Sequence, residues 1–279
     1  MKLIDLARRH AKSFGGITPA IWAVAELAET SYERVVAGTQ DASRDVVARA
    51  SELAKRYQRG EPLQYLLGHW AFRELDLVTD PRALIPRPET EMLVDIALEL
   101  LDGVDGAVAA DLGTGTGAVG ISLAVSGRFS LVYMTDASAE ALSLASQNVQ
   151  RNIRLVKGAV FLSRGTWFAA LPDSCRGRLD LVASNPPYIP SAAIAGLDDR
   201  VLYEPRSALD GGPSGMNCLF QILSGAPDYL RHGGSVVLEM GEDQGGVLAE
   251  VASSFGYEQI AVRADQAGRP RFFTARWLG

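Results

Sequence analysis

The segment whose residue types and spacing most directly suit a reaction is Asn185-Pro186-Pro187-Tyr188. An amide or aromatic-amine nitrogen is a poor nucleophile, because its lone pair is delocalised. No side-chain base strips it usefully at neutral pH. A protein can instead accept hydrogen bonds from both N–H groups, which turns the lone pair toward an electrophile and stabilises the positive charge growing on nitrogen. Asn185 offers its side-chain oxygen, and the Pro186 carbonyl offers a second acceptor. Prolines at 186 and 187 fix φ and carry no N–H, so the turn presents acceptors without competing donors. Tyr188 adds a flat face for a planar group and a π surface suited to a cationic methyl donor. Alignment of this kind is worth on the order of 7–11 kcal/mol in well-placed reactions. The expected chemistry is in-line methyl transfer to a planar nitrogen, with the surplus proton lost afterwards. The plain structural alternative is a Pro-Pro turn with an Asn cap.

A second constellation is Asp111-Leu112-Gly113-Thr114-Gly115-Thr116-Gly117, with Asp136 closing the next apolar run. Glycines let a backbone turn sharply and approach a ligand closely. The helix that follows turns its N-terminus to a carboxylate or phosphate. A carboxylate at 136 can accept both hydroxyls of a ribose. Gly115–Gly120 also satisfies the dinucleotide pattern G-x-G-x-x-G, with the acid at about the expected distance, so a nicotinamide or flavin cofactor competes with S-adenosylmethionine. Asp111 favours the latter: an acid can hold an ammonium group and sits poorly beside a pyrophosphate. The four-residue turn at 185 breaks the tie the same way.

Both constellations need a scaffold that brings Gly113 and Asn185, distant in sequence, into one crevice. After Glu91 the pattern alternates. A helix is expected over 92–101, a strand over 107–112, a helix over 117–126, a strand over 131–135 and a helix over 138–150. A strand over 179–184 then runs into Asn185. A helix over 216–231, a strand over 235–240, a helix over 243–255 and two final strands complete the run. Alternation of this kind implies a mostly parallel sheet covered on both faces, with ligands at the carboxyl ends of its strands. The chain up to Gly60 reads as helices. Thr18-Pro19 suits a helix start, and Val46, Val47, Ala50, Leu53, Ala54 and Tyr57 form one stripe that Gly60 ends. Between the two parts, Phe72, Leu75 and Leu77 suggest a short hairpin, and Pro81, Pro86 and Pro88 punctuate a linker. The expected organisation is a helical domain over 1–68, a hairpin and linker over 69–90, and a catalytic domain over 91–279.

Composition narrows the substrate. The 279 residues carry net charge −6, divided as +2 over residues 1–75 and −8 over 76–279. A groove for duplex DNA needs a basic track, and none is visible in the catalytic half. No CxxC or HExxH pattern exists, and the two cysteines and three histidines are scattered, so no metal is expected. No long apolar run suggests a signal peptide or a membrane span; a cytoplasmic location is the expectation.

Taken together, the motifs resemble the release factor glutamine N5-methyltransferases, also called the PrmC or HemK family. Gly60-Glu61-Pro62-Leu63-Gln64-Tyr65-Leu66-Leu67-Gly68 resembles the family's linker, and Ile85-Pro86-Arg87-Pro88-Glu89-Thr90-Glu91 the lead into its catalytic domain. Asp111–Gly117 resembles its donor loop and Asn185–Tyr188 its catalytic turn. Glu204-Pro205-Arg206 with Ala208–Gly212, and Asp265, Gly268, Arg269 and Arg271, resemble later segments. The turn alone is shared with DNA adenine methyltransferases; the linker and lead segments point away from them. The resemblance implies an α/β class I methyltransferase fold, Rossmann-like with a mostly parallel seven-stranded sheet, and a small helical N-terminal domain; that domain, a helical module with no chemistry of its own, is expected to recognise the substrate. It implies S-adenosyl-L-methionine as cofactor, S-adenosyl-L-homocysteine as product, no metal, and no direct contact with nucleic acid or membrane. The partner it implies is a peptide chain release factor, whose Gly-Gly-Gln glutamine is the methyl acceptor. By the same resemblance Gly113, Thr114, Gly115, Thr116, Gly117, Asp136, Trp167 and Asn185 bind the donor. Asn185, Pro186, Pro187 and Tyr188 hold the glutamine, with Asn185, Pro186 and Tyr188 catalytic. One departure stands out: Thr166 occupies the position before the aromatic where the family usually has an acid. Three alternatives remain at this level: a methyltransferase acting on a base amino group, a nicotinamide-dependent oxidoreductase, and a non-catalytic adaptor.

Overall fold

A computed structural model describes residues 1–279, which divide into two compact units: 1–69 with 198–203, and 70–197 with 204–279.

The first unit is helical. It contains α1 (Leu3–His10), α2 (Ile17–Leu27), α3 (Tyr32–Val36), α4 (Arg44–Gln58) and α5 (Leu63–Leu67). α4 forms where the apolar stripe predicts it. Ser43 caps it by accepting from Val46 N at 3.2 Å, and Val46, Ala50 and Ala54 are buried. α2 starts earlier than expected, with Gly16 rather than Thr18 before its first turn. Pro19 then falls inside that turn, where a missing N–H leaves no intrahelical bond unmade. Leu3, Leu6, Phe14, Ile21, Val24 and Val35 close a separate core.

The second unit opens with the expected hairpin, β1 (His69–Phe72) and β2 (Leu75–Val78), whose first residue still belongs to the helical unit. Next come α6 (Pro88–Leu100), β3 (Ala107–Leu112), α7 (Ala118–Ser126), β4 (Phe129–Asp136), α8 (Ala139–Arg151), β5 (Ala159–Arg164) and β6 (Leu179–Ser184). α9 (Asp199–Leu202), α10 (Asn217–Gly225), β7 (Leu230–Glu239), α11 (Gly245–Ser254), β8 (Tyr257–Ala264) and β9 (Pro270–Trp277) complete the chain. The seven strands β3–β9 form one sheet in the order β5-β4-β3-β6-β7-β9-β8, parallel except where β9 pairs with β7 and β8. The chain winds outward from β3 through β4 to β5, then returns to place β6 on the other side of β3. The carboxyl ends of β3 and β6 therefore flank the switch point, where ligands of such sheets bind. This is the seven-stranded α/β fold that the motifs imply.

Two departures have local causes. β5 is not among the expected strands, although Ala159-Val160-Phe161-Leu162 is an apolar run; it is an edge strand with alternating exposure, and Phe161 is 48% exposed. The helix expected to reach 231 stops at Gly225, since Pro227 in the next turn removes an N–H and restricts the residue before it. The connectivity differs too: α9, although it follows the Asn185–Tyr188 turn, packs in the helical unit. There Arg200 lies 4.3 Å from the Tyr57 ring centroid, and Tyr203 Oη donates to the Arg59 carbonyl at 3.3 Å. No helix is long and apolar enough to cross a membrane.

Candidate active site

The loop after β3 owes its shape to its glycines. Gly113, Gly115 and Gly117 all have positive φ, at 72°, 56° and 87°, a region that side chains disfavour. The N–H groups of Gly113 and Thr114 both donate to the Thr135 carbonyl at 2.8 Å, which stitches the loop to the end of β4. Asp111, buried beneath the loop, accepts from Thr114 Oγ1 at 2.5 Å and from Gly120 N at 2.9 Å through one oxygen. Burial pushes its carboxyl up to about 6, against the pull of those two bonds. Gly120 is required for packing: a Cβ there would stand 2.5 Å from Met134 Cγ on β4. Asn148 on α8 holds the far side, donating to the Thr116 carbonyl at 2.8 Å while pairing with the backbone of Val78 on β2.

Asp136 ends β4 with both oxygens anchored. Oδ2 accepts from Gly115 N and Oδ1 from Ser138 N, each at 2.9 Å. Each oxygen keeps lone-pair capacity for a further donor. Trp167 follows β5 with φ at +47°, a left-handed conformation that costs a non-glycine residue on the order of 1–3 kcal/mol. Its Nε1 donates to Gln221 Oε1 at 2.6 Å, and its ring stands over Gly113, 3.3 Å from where a Cβ would be. The surroundings thus hold the indole at the mouth of the glycine loop.

Asn185 leaves the end of β6, the one strand buried at all its positions. Ser184 Oγ donates to the Leu112 carbonyl at 2.5 Å and locks the two strand ends together. Asn185 Nδ2 donates to Thr90 Oγ1 at 3.2 Å, and Thr90 Oγ1 donates to Glu239 Oε2 at 2.7 Å. Tyr188 Oη donates to the other Glu239 oxygen at 3.2 Å. Glu239 is 2% exposed. Burial pushes its carboxyl above the usual range, opposed by the bonds from Thr90 and Tyr188 and by the Arg271 charge. Burial also raises the Tyr188 phenol, so it stays protonated. Gln244 Nε2 fixes the Tyr188 carbonyl at 2.9 Å.

These pieces surround one cavity of about 440 Å³. Its wall includes Gly113, Thr114, Gly115, Thr116, Asp136, Thr166, Trp167, Asn185 and Pro187, so most of the sequence-predicted residues meet there. Gly117, Pro186 and Tyr188 do not line it. Pro186 is buried within the turn, and Tyr188 is turned to Glu239. Part of the remaining wall comes from the linker before α6 and from the loop that begins at Glu204. Ala83, Leu84 and Pro86 stand on one, Pro205, Ser207 and Ala208 on the other. Glu204, buried, ties them by accepting from Ile85 N at 2.8 Å and pairing with Arg87. Arg87 thereby helps to latch the two segments together. Sequence reasoning missed Glu239, Gln221 and Gln244, and gave Thr90 no role of its own. The one available signal was an acid closing the otherwise apolar strand Val236-Val237-Leu238-Glu239.

A seven-stranded sheet of this order, with a glycine loop and an acid at its switch point, defines a class I methyltransferase. The family model described as the methyltransferase small domain matches residues 90–213. A solved methyltransferase from Pyrococcus furiosus shares the fold with a TM-score of 0.55 at 22% identity, over 82% of this chain and 99% of that one. A release factor glutamine methyltransferase from Moorella thermoacetica is 45% identical over 222 residues, 79% of this chain and 76% of the relative. One from Gloeobacter violaceus is 42% identical over 219 residues, 78% and 75% of the two. The chain belongs to the release factor glutamine methyltransferase family.

Proposed function

We propose that the chain transfers a methyl group from S-adenosyl-L-methionine to the side-chain amide nitrogen of the glutamine in the Gly-Gly-Gln motif of peptide chain release factors, supporting translation termination. The observation that carries this reading is the Asn185 carboxamide, standing on the wall of the same cavity as the glycine loop and Asp136. Membership of the family supplies the substrate class.

The cavity suits the donor. Its volume falls within the range of small-molecule sites, roughly 300–1,000 Å³. Asp136 offers acceptors for two ribose hydroxyls, Trp167 a face for adenine, and the first turn of α7 free N–H groups for a carboxylate. Thr166 brings a hydroxyl to the adenine end in place of an acid. S-adenosylmethionine supplies an electrophilic methyl group on a sulfonium centre. Asn185 Oδ1 accepts one N–H of the substrate amide, and the Pro186 carbonyl is the second acceptor in this reading. Pro187 sets the wall beside them, and Tyr188 anchors the turn from behind. Holding both N–H groups aims the nitrogen lone pair and stabilises the cationic nitrogen; the proton leaves after transfer. The helical unit, which exposes Ile17, Trp22 and Val36, is assigned to release factor recognition.

The test is mass spectrometry of purified release factor after incubation with the protein and isotopically labelled donor, with DNA in a parallel reaction. A methyl on the Gly-Gly-Gln glutamine is expected. Label in DNA and none in the release factor would overturn the reading.

A further inference from the structure

We infer that Thr90 and Glu239 are positioning residues that hold the Asn185 carboxamide with its oxygen toward the cavity. The inference rests on the proposed methyl transfer for its consequence, but its geometry stands apart from any substrate.

What each group can donate sets the direction of every bond. Ionised Glu239 only accepts, so with both its oxygens facing hydroxyls, the hydrogens on those bonds belong to Thr90 and Tyr188. The single hydrogen of the Thr90 hydroxyl is then committed to Glu239. What Thr90 Oγ1 has left for Asn185, 3.2 Å away, is a lone pair. Only the NH₂ end of the carboxamide satisfies it. The flipped carboxamide would set oxygen against oxygen, and it would present donors to a substrate amide that needs acceptors. A relay of acid, hydroxyl and amide thus writes the polarity of the Asn185 side chain from two distant points of the chain, one on α6 and one on β7.

No other role accounts for these two side chains as well. Thr90 lies in the first turn of α6, yet its hydroxyl bonds Glu239 and Asn185 and caps no N–H of that helix. Glu239 follows Val236, Val237 and Leu238, all fully buried, and is itself almost inaccessible. A buried acid is unfavourable unless its neighbours are arranged for it, and an apolar residue would close this strand at lower cost. Its two hydrogen-bonding partners converge on one object: Tyr188 belongs to the catalytic turn, and Thr90 touches Asn185.

Thr90→Val removes the hydroxyl and keeps the shape. Expected is a fall in kcat on the order of 10- to 100-fold, as for a misaligned catalytic group. KM for release factor and Kd for S-adenosylhomocysteine should stay within about threefold. Thr90→Ser, which restores the hydroxyl, should keep at least roughly a third of the wild-type kcat, a rescue that loss of packing would not give. A second readout needs no turnover: NMR of the side-chain amide of Asn185, assigned by its loss in Asn185→Asp. One Nδ2 hydrogen should exchange more slowly in the wild type than in Thr90→Val. Equal exchange in the two proteins, an unchanged kcat in Thr90→Val, or a Thr90→Ser kcat as low as that of Thr90→Val would each overturn the relay. If the methyl is found on a different nitrogen, the proposed function fails. The relay is then judged by the NMR comparison and by the same variants on that acceptor.

Discussion

The two sides of the cavity are built from different materials. On the β3–β4 side, the groups that would meet a donor are held by backbone: Gly113 and Thr114 N–H on the Thr135 carbonyl, and Gly115 and Ser138 N–H on Asp136. On the β6–β7 side, Asn185 is held by a chain of side chains drawn from α6, the Asn185–Tyr188 turn and β7. Backbone bonds survive substitution of most side chains around them. A side-chain relay fails at any one member. The donor side should therefore degrade gradually under mutation, and the acceptor side abruptly.

Asn185→Ala is the largest break. It removes an acceptor aimed at charge that develops only in the transition state, which in comparable sites costs about 10²–10³ in kcat. Asn185 also stands on the wall of the donor cavity, but the bonds that shape the glycine loop and Asp136 do not run through it, so donor affinity should remain within about threefold. Calorimetry with S-adenosylhomocysteine and single-turnover methylation separate the two quantities. A donor affinity that collapses while turnover per bound donor persists would move Asn185 to the other side of the comparison.

Asp136→Ala tests the donor side. The carboxylate organises Gly115 N and Ser138 N besides offering acceptors to a ribose. Hydrogen bonds to a charged group are worth about 1.5–3 kcal/mol, so Kd for S-adenosylhomocysteine should rise on the order of 10- to 100-fold. At saturating donor, kcat should change little. A fall in kcat as deep as that of Asn185→Ala would show that the two sides are not separable.

The same division explains what could be read in the sequence. The glycine loop is local: three glycines, a preceding acid and a following helix lie close together, and their geometry follows from backbone sterics. The Asn185–Tyr188 turn is local too, since two prolines fix its path. The relay is assembled from positions 90, 185, 188 and 239, and nothing in the pattern of any one segment announces the others. Thr90 sat in view inside a recognised segment without a visible partner. Tyr188 was read as a wall of the pocket; its phenol instead reaches for an acid that only the sheet order brings alongside. β5 escaped although Ala159–Leu162 is apolar, because so short a run suits a helix or a strand alike. The packing of α9 in the helical unit depends on the Tyr57 ring and on Gly60, both far earlier in the chain.

Asp111→Asn gives the donor side a pH signature. The free side chain ionises at 3.8, whereas burial in the fold raises Asp111 to about 6. Between those values the folded chain binds the proton more tightly than the unfolded one, so Asp111 makes stability fall as pH rises from about 4 to about 6, and its penalty is complete above that. An asparagine oxygen can still accept from Thr114 and Gly120 without carrying the charge. Urea unfolding at pH 8 should show the variant more stable by roughly 1–3 kcal/mol, with the gain shrinking as pH falls through 6. Donor affinity should drop in the same variant if Asp111 also faces an ammonium group. A variant less stable at pH 8 than at pH 5, relative to wild type, would mean that the carboxylate itself is what the loop requires.

The smallest effect is expected at Thr166, where restoring an acid sharpens the contrast rather than breaking it. Thr166 lines the cavity beside Trp167, whose ring is already fixed by Gln221 and by the close approach of Gly113. Thr166→Asp would exchange a neutral acceptor for a charged one toward an adenine amino group, and charge-assisted bonds are the stronger kind. Against that gain stand the nearby carboxylates of Asp111 and Asp136 and the loss of solvation on ligand binding. The net should be a tightening of S-adenosylhomocysteine binding by less than about tenfold, with kcat unchanged. Calorimetry at two salt concentrations checks it, since any repulsion from the neighbouring carboxylates weakens as salt rises. A change in kcat without a change in affinity would place Thr166 on the acceptor side, where single side chains decide the chemistry.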